Sequence, residues 1–201
     1  MNPRVLVQRA ERFRPKQPDL AWMVVGAAAI TMVATSFFVA PGLGGFFGAA
    51  LGLVMLTIAI IDGRSYLIPD TLTAAAFALA LINAGLGDSD GVLAGIEGAL
   101  LRGGLLGAFF LALRAVYFWV RGRHGLGLGD VKLAVVAGAW LDWTTIPIAL
   151  EVAALAALVA IALRQFSRGR PLRATGRLPF GLFFAPAIWV GWLLGATLLA
   201  Y

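Results

Sequence analysis

The stretch "LAWMVVGAAAITMVATSFFVA", residues 20–40, decides how the rest of the chain is read. It runs 21 residues without a charged side chain, and a helix needs roughly 20 mostly apolar residues to cross a bilayer. A basic segment with Arg4, Arg9, Arg12, Arg14 and Lys16 precedes it, which is also the order of a secretory signal. The apolar run exceeds the roughly 7–15 residues of a cleaved signal core, and no A-x-A cleavage pattern follows it. The expectation is a retained membrane helix.

Composition extends that reading to the whole chain. Of 201 residues, 61% are hydrophobic and only 13% charged, where a soluble domain carries about 25% charged residues. The mean hydropathy is +0.90. So few charges do not cover a water-facing surface, so the fold class expected is all-α, a polytopic transmembrane helix bundle. Further apolar runs lie at 43–61, 71–87, 103–120, 131–142, 145–163 and 180–200. With 20–40 they make about seven spans, six to eight being possible. The short 131–142 segment reads as a tilted or half-buried helix. Residues 91–102 carry Glu97 and Arg102 and read as an interfacial helix leading into the fourth span. The organisation expected is a basic cytoplasmic tail, 1–19, and one transmembrane domain, 20–201.

The net charge of +6 invites a nucleic-acid reading. The placement of the charge argues otherwise. The loops "APGLGG" and "GDSDG" have no basic residue, whereas Arg64, the group Arg114, Arg121, Arg123 and Lys132, and the group Arg164, Arg168, Arg170, Arg173 and Arg177 recur at alternate ends. When seven spans alternate, 15 of the 16 basic residues fall on one side, and Arg102 is the exception. Lys and Arg favour the cytoplasmic side, so the N-terminus is expected in the cytoplasm of a bacterial inner membrane. The partner this charge serves is the lipid bilayer, including anionic headgroups, and no nucleic acid is required.

Chemistry is then narrowed by elimination. The chain has no cysteine and one histidine, His124. That excludes disulfides, thiolate nucleophiles and Cys-rich or multi-His metal sites, and no metal or cofactor is expected. Ionisable groups at membrane depth are functional-site candidates by default. Glu11 and Asp19 belong to the tail, Asp88 and Asp90 to an outside loop, and Asp142 to an outside turn. Glu151, early in the sixth span, reads as structural or functional. Asp62 ends the run "LVMLTIAIID", and Asp130 lies in "RGRHGLGLGDVKL", residues 121–133. The charge pattern puts both at one depth on one side. Two carboxylates that share a site hold one proton between them, the arrangement of an aspartic protease. Each acid also has a plainer reading, Asp130 as a helix N-cap and Asp62 as a helix end facing headgroup water. Asp70, after Pro69, reads first as an N-cap and second as an auxiliary acid. Lys132 is either a counter-charge to Asp130 or a topological charge, and His124 a solvated loop residue. Gly125, Gly127 and Gly129 read as clearance for a substrate chain beside Asp130, since glycine accepts φ > 0 and close approach.

The segment "GLGLGD" resembles the GxGD motif of polytopic aspartyl proteases. "AIIDGRSYLIPDTLT" resembles the first-aspartate segment of bacterial prepilin peptidases (type IV leader peptidases), where Pro-Asp follows the catalytic acid by seven to eight residues. "GLGLGDVKLAVVAGAWLDW" resembles their second segment, and "RLPFGLFFAPA" their Pro-Phe-Gly element. The likeness covers roughly residues 50–195. It implies that Asp62 and Asp130 are the catalytic pair of an aspartic endopeptidase. Gly127, Gly129, Lys132, Asp70, Pro179, Phe180 and Gly181 would be substrate-binding or supporting. It implies prepilin or pseudopilin substrates cut at the cytoplasmic face, with no cofactor for the cleavage. Longer family members carry paired CxxC motifs and methylate the new N-terminus. This cysteine-free chain looks more like the compact peptidases of Flp/Tad pilus systems, and the methyltransferase activity is not carried over. Another GxGD protease would carry Tyr-Asp where this chain has Ile61–Asp62. A transporter or pilus-assembly scaffold that binds cations or protons on the same aspartates is the non-enzyme alternative.

Overall fold

The computed structural model describes residues 20–87, 91–122, 125–168 and 179–198. They form seven helices: α1 Leu20–Val39, α2 Leu43–Ser65, α3 Asp70–Gly87, α4 Val92–Arg121, α5 Leu128–Trp140, α6 Thr145–Arg168 and α7 Gly181–Leu198. All but α5 are long and apolar enough to cross a membrane. The chain is a multi-pass membrane protein.

One expectation about the elements needs correction. Residues 91–102 are not a separate interfacial helix. They begin the 30-residue α4, about 45 Å long at 1.5 Å per residue. No proline interrupts it, Glu97 is exposed, and the Arg102 guanidinium bends across to the Gly138 carbonyl of α5 at 3.3 Å. The 131–142 segment is, as expected, a short and largely buried helix, the 13-residue α5. At about 20 Å it falls short of the roughly 30 Å hydrocarbon layer.

Two groups of helices meet around the middle of the molecule. In one, α2 packs on α1 and α7, and α6 lies on α7; in the other, α5 lies against α4 and α3. They join where α2 approaches α3 and α5 approaches α7. Small residues make these contacts close, because helices in lipid gain from backbone approach rather than from apolar burial. The core includes Ala76, Ala80, Ala99, Ala134, Ala137, Ala149, Ala153 and Ala185 around Leu51, Met55, Ile58, Leu133 and Phe184. At the tightest crossing, a Cβ on Gly138 of α5 would stand 2.5 Å from the Arg102 carbonyl oxygen and 2.8 Å from Gly103 Cα of α4. The small residues of the fourth span thus serve a contact within the chain.

Polar groups inside are paired. The Trp140 indole N–H donates to the Ala76 carbonyl at 2.9 Å, and that of Trp189 to Ser36 Oγ at 3.1 Å. Among the described residues no buried side-chain polar atom lacks a partner.

Candidate active site

The end of α2 is set by Tyr66. This residue takes the left-handed conformation (φ 55°, ψ 33°) and donates its N–H to the Asp62 carbonyl at 2.9 Å. Such a conformation is unusual for a bulky side chain. It turns the chain out of the helix one turn after Asp62. Residues 67–69 then run without regular structure to α3. Ile68 precedes a proline, which favours extended backbone.

Asp62 itself is only 5% exposed. Its Oδ2 accepts the Leu182 N–H at 2.9 Å, in the first turn of α7. A helix N-terminus is a natural seat for a carboxylate oxygen. The seat is tight, since a Cβ on Gly181 would stand 2.8 Å from both Asp62 Oδ2 and Ile68 Cδ1. The resemblance-derived Pro179, Phe180 and Gly181 therefore sit where α7 begins against Asp62.

Asp130 lies in the first turn of α5. It is not the N-cap: that position is Gly127, whose N–H donates to Asp130 Oδ2 at 3.1 Å. The acid reaches back to the helix start, as the acidic partner of a capping box does. Burial pushes the Asp130 carboxyl up to about 6, against the Gly127 hydrogen bond and with the charge of Asp62 adding to the rise.

Asp62 and Asp130 line one cleft of about 420 Å³, with Tyr66, Leu67, Ile68, Asp70, Gly127, Leu128, Gly129 and Lys132. Every described residue of the expected site except the Pro179–Gly181 element lines this cleft. Lys132 does not face Asp130 as a counter-charge; its ammonium meets Asp70 at 2.6 Å, with both side chains largely exposed. Asp70 opens α3 and pairs with Lys132, and no side-chain cap on α3 accompanies it among the described residues. Glu151 is exposed on α6 and lies outside the cleft. His124, Glu11, Asp19, Asp88 and Asp90 lie outside the described residues.

At Gly125 and Gly129 the direction a side chain would take is filled by the chain's own side chains. Gly129 faces Ile68, whose Cβ would be 3.0 Å from an added Cβ, and Gly125 faces the Tyr117 ring at 2.5 Å. Neither needs a left-handed backbone, for the glycines with positive φ are Gly42, Gly91 and Gly122. Arg114 of α4 also donates to the Leu126 carbonyl, so the loop entering α5 is fastened to α4. Sequence reasoning singled out neither Ile68 nor Arg114. For Ile68 the available signal was an apolar triplet caught between a helix end and Pro69.

Comparison with known proteins bears on this geometry. Residues 49–162 match the family described as type IV leader peptidase. A prepilin leader peptidase/N-methyltransferase of Aeromonas hydrophila is 31% identical over 178 residues, covering 85% of this chain and 57% of that protein. One from Burkholderia pseudomallei is 37% identical over 141 residues, 68% of this chain and 43% of the relative. One from Pseudomonas aeruginosa is 32% identical over 149 residues, 70% and 47%. The chain thus spans about half the length of these relatives. No solved structure matches it.

Proposed function

The chain belongs to the type IV leader peptidase family, and from that footing we propose that it is a membrane-embedded aspartic endopeptidase that removes the leader from type IV prepilins or pseudopilins. One observation carries the reading: two acids 68 residues apart line the same cleft. Each has one oxygen held by a backbone N–H, Asp62 by Leu182 and Asp130 by Gly127, which fixes the carboxyl groups while leaving an oxygen of each for chemistry.

Hydrolysis then needs no cofactor. The ionised carboxylate takes a proton from water as the water oxygen bonds to the scissile carbonyl carbon. The protonated carboxyl gives its proton to the carbonyl oxygen as it gains charge. Collapse breaks the C–N bond, the amine leaves with a proton, and the pair again holds one proton. The two acids act as a coupled pair rather than with separately assigned roles. Gly181 and Gly129 keep α7 and α5 close to Ile68 and Asp62, and Asp70 with Lys132 ties α3 to α5 beside the cleft. The cleft lies near Arg64 and Arg121 at the ends of α2 and α4 and Arg114 in α4, and the positive-inside rule supports a cleft at the cytoplasmic face of the inner membrane. Residues 20–201 act in this reading as a single peptidase domain.

Co-expression with a type IV prepilin tests it. Asp62→Asn and Asp130→Asn should each reduce leader removal by at least about a hundredfold, the usual weight of acid–base catalysis, while still accumulating in the membrane. Asp70→Asn should retain cleavage, because an exposed ion pair contributes about 0.2–1 kcal/mol. Normal processing by either Asn variant of the pair overturns the reading.

A further inference from the structure

The short segment between α2 and α3 forms part of the cleft lining. Residues 67–69 form no regular structure. Among the described residues, no hydrogen bond engages the backbone N–H or carbonyl of Leu67 or Ile68. Both residues line the cleft with Asp62 and Asp130.

The segment is nonetheless held in place. The Ile68 side chain is 7% exposed and lies between two helices at points where each has a glycine, Gly129 of α5 and Gly181 of α7. Pro69 follows it, and Tyr66 in the left-handed conformation precedes Leu67. Leu67, Tyr66 and Leu128 leave apolar side chains exposed along the cleft. A pinned stretch whose backbone groups have no partner within the protein, beside two acids, offers those groups to a partner that supplies backbone groups of its own.

A peptide bond inside a helix is shielded from attacking water. The substrate must unwind around the bond to be cut, and its freed N–H and carbonyl groups then need partners too. Extended peptides commonly find them by adding a strand to an exposed edge. We propose that the Leu67–Ile68 main chain is the docking edge for the scissile segment, which binds beside it as a strand and so presents its carbonyl to Asp62 and Asp130. Ile68 is a positioning residue for that edge. The inference rests on the peptidase reading and adds the conformation in which the substrate is held.

Strand pairing has a period of two, because alternate residues turn their backbone groups toward the edge. The test is an N-methyl scan of a synthetic peptide that spans the leader–helix junction of a type IV prepilin, cut by the full-length enzyme in lipid nanodiscs. N-methylation at alternate residues flanking the cut should raise KM about tenfold, the effect of losing one buried hydrogen bond, and methylation of the residues between should be tolerated. If the unmodified peptide is cut but the scan is flat, or has a period of three to four residues, the docking edge is wrong and the peptidase reading stands. If the unmodified peptide is not cut at all, both fall.

Discussion

At the scale of single residues, the site trades stability for chemistry. Asp130 has a folded-state pKa of about 6 against an ordinary 3.8. A raised carboxyl pKa means that ionisation is harder in the fold than in the unfolded chain. The resulting destabilisation is absent below about pH 3.8, grows as pH rises, and is complete above about 6. Asn at this position keeps an oxygen for the Gly127 N–H and carries no charge. Asp130→Asn should therefore unfold at higher temperature than the parent at pH 7.5, by on the order of a few degrees, and this gain should vanish at pH 4. Thermal unfolding in detergent at the two pH values checks it. An equal gain at both pH values would trace the effect to packing instead of charge. Replacing catalytic groups often stabilises an enzyme while abolishing its reaction, so the same variant links stability to the proposed chemistry.

At the scale of elements, α5, which carries Asp130, is set by its crossing with α4. Gly103 and Gly107 of α4 face Val135 of α5, and Gly138 of α5 faces the Arg102–Gly103 backbone. Gly138→Val has no room, since even a Cβ would lie 2.5 Å from a carbonyl oxygen that a rotamer change does not move. The helices must separate, Asp130 moves with α5, and cleavage should fall at least about tenfold, with a loss of about 1–3 kcal/mol typical of overpacking. Gly104→Val is the control: on the same helix, it meets open space within 4 Å and should leave both unchanged. Comparing membrane accumulation and cleavage of the two variants checks this. The apolar runs made the six long helices legible in the sequence, because length and hydropathy alone set them. That Asp62 and Asp130 lie at one cleft was legible through charge placement and the two aspartate motifs. The continuity of α4 was not, because Glu97 and Arg102 look like an interruption until Gly138 supplies the arginine with a partner 36 residues away. Nor were the purposes of Gly125 and Gly129, because a glycine marks a close approach without naming what approaches. Here Tyr117 and Ile68 come from other elements.

At the scale of the whole molecule, the short α5 raises the question of how a helix of about 20 Å links two faces of a bilayer. It starts near Arg64 and Arg121 at the ends of α2 and α4 and Arg114 in α4. Its other end opens on a second cavity of about 340 Å³, lined by Asn83, Arg102, Trp140, Asp142, Thr145 and Trp192. If α5 crosses the membrane, water admitted by these polar groups would make up the missing length. Arg102, the basic residue that breaks the charge pattern, lines this pocket instead of facing lipid. The expected outcome is that the cleft and the pocket lie on opposite faces of the membrane. The absence of native cysteine makes the test direct. Single cysteines are placed at Trp143, exposed in the turn after α5, and at Ser65, exposed at the end of α2. A small membrane-impermeant maleimide added to intact cells should label Trp143→Cys, and should label Ser65→Cys only once the inner membrane is opened. The reverse pattern would place the acids on the outer face and remove the cytoplasmic assignment. Labelling of both from one side would mean that α5 enters and leaves by the same face.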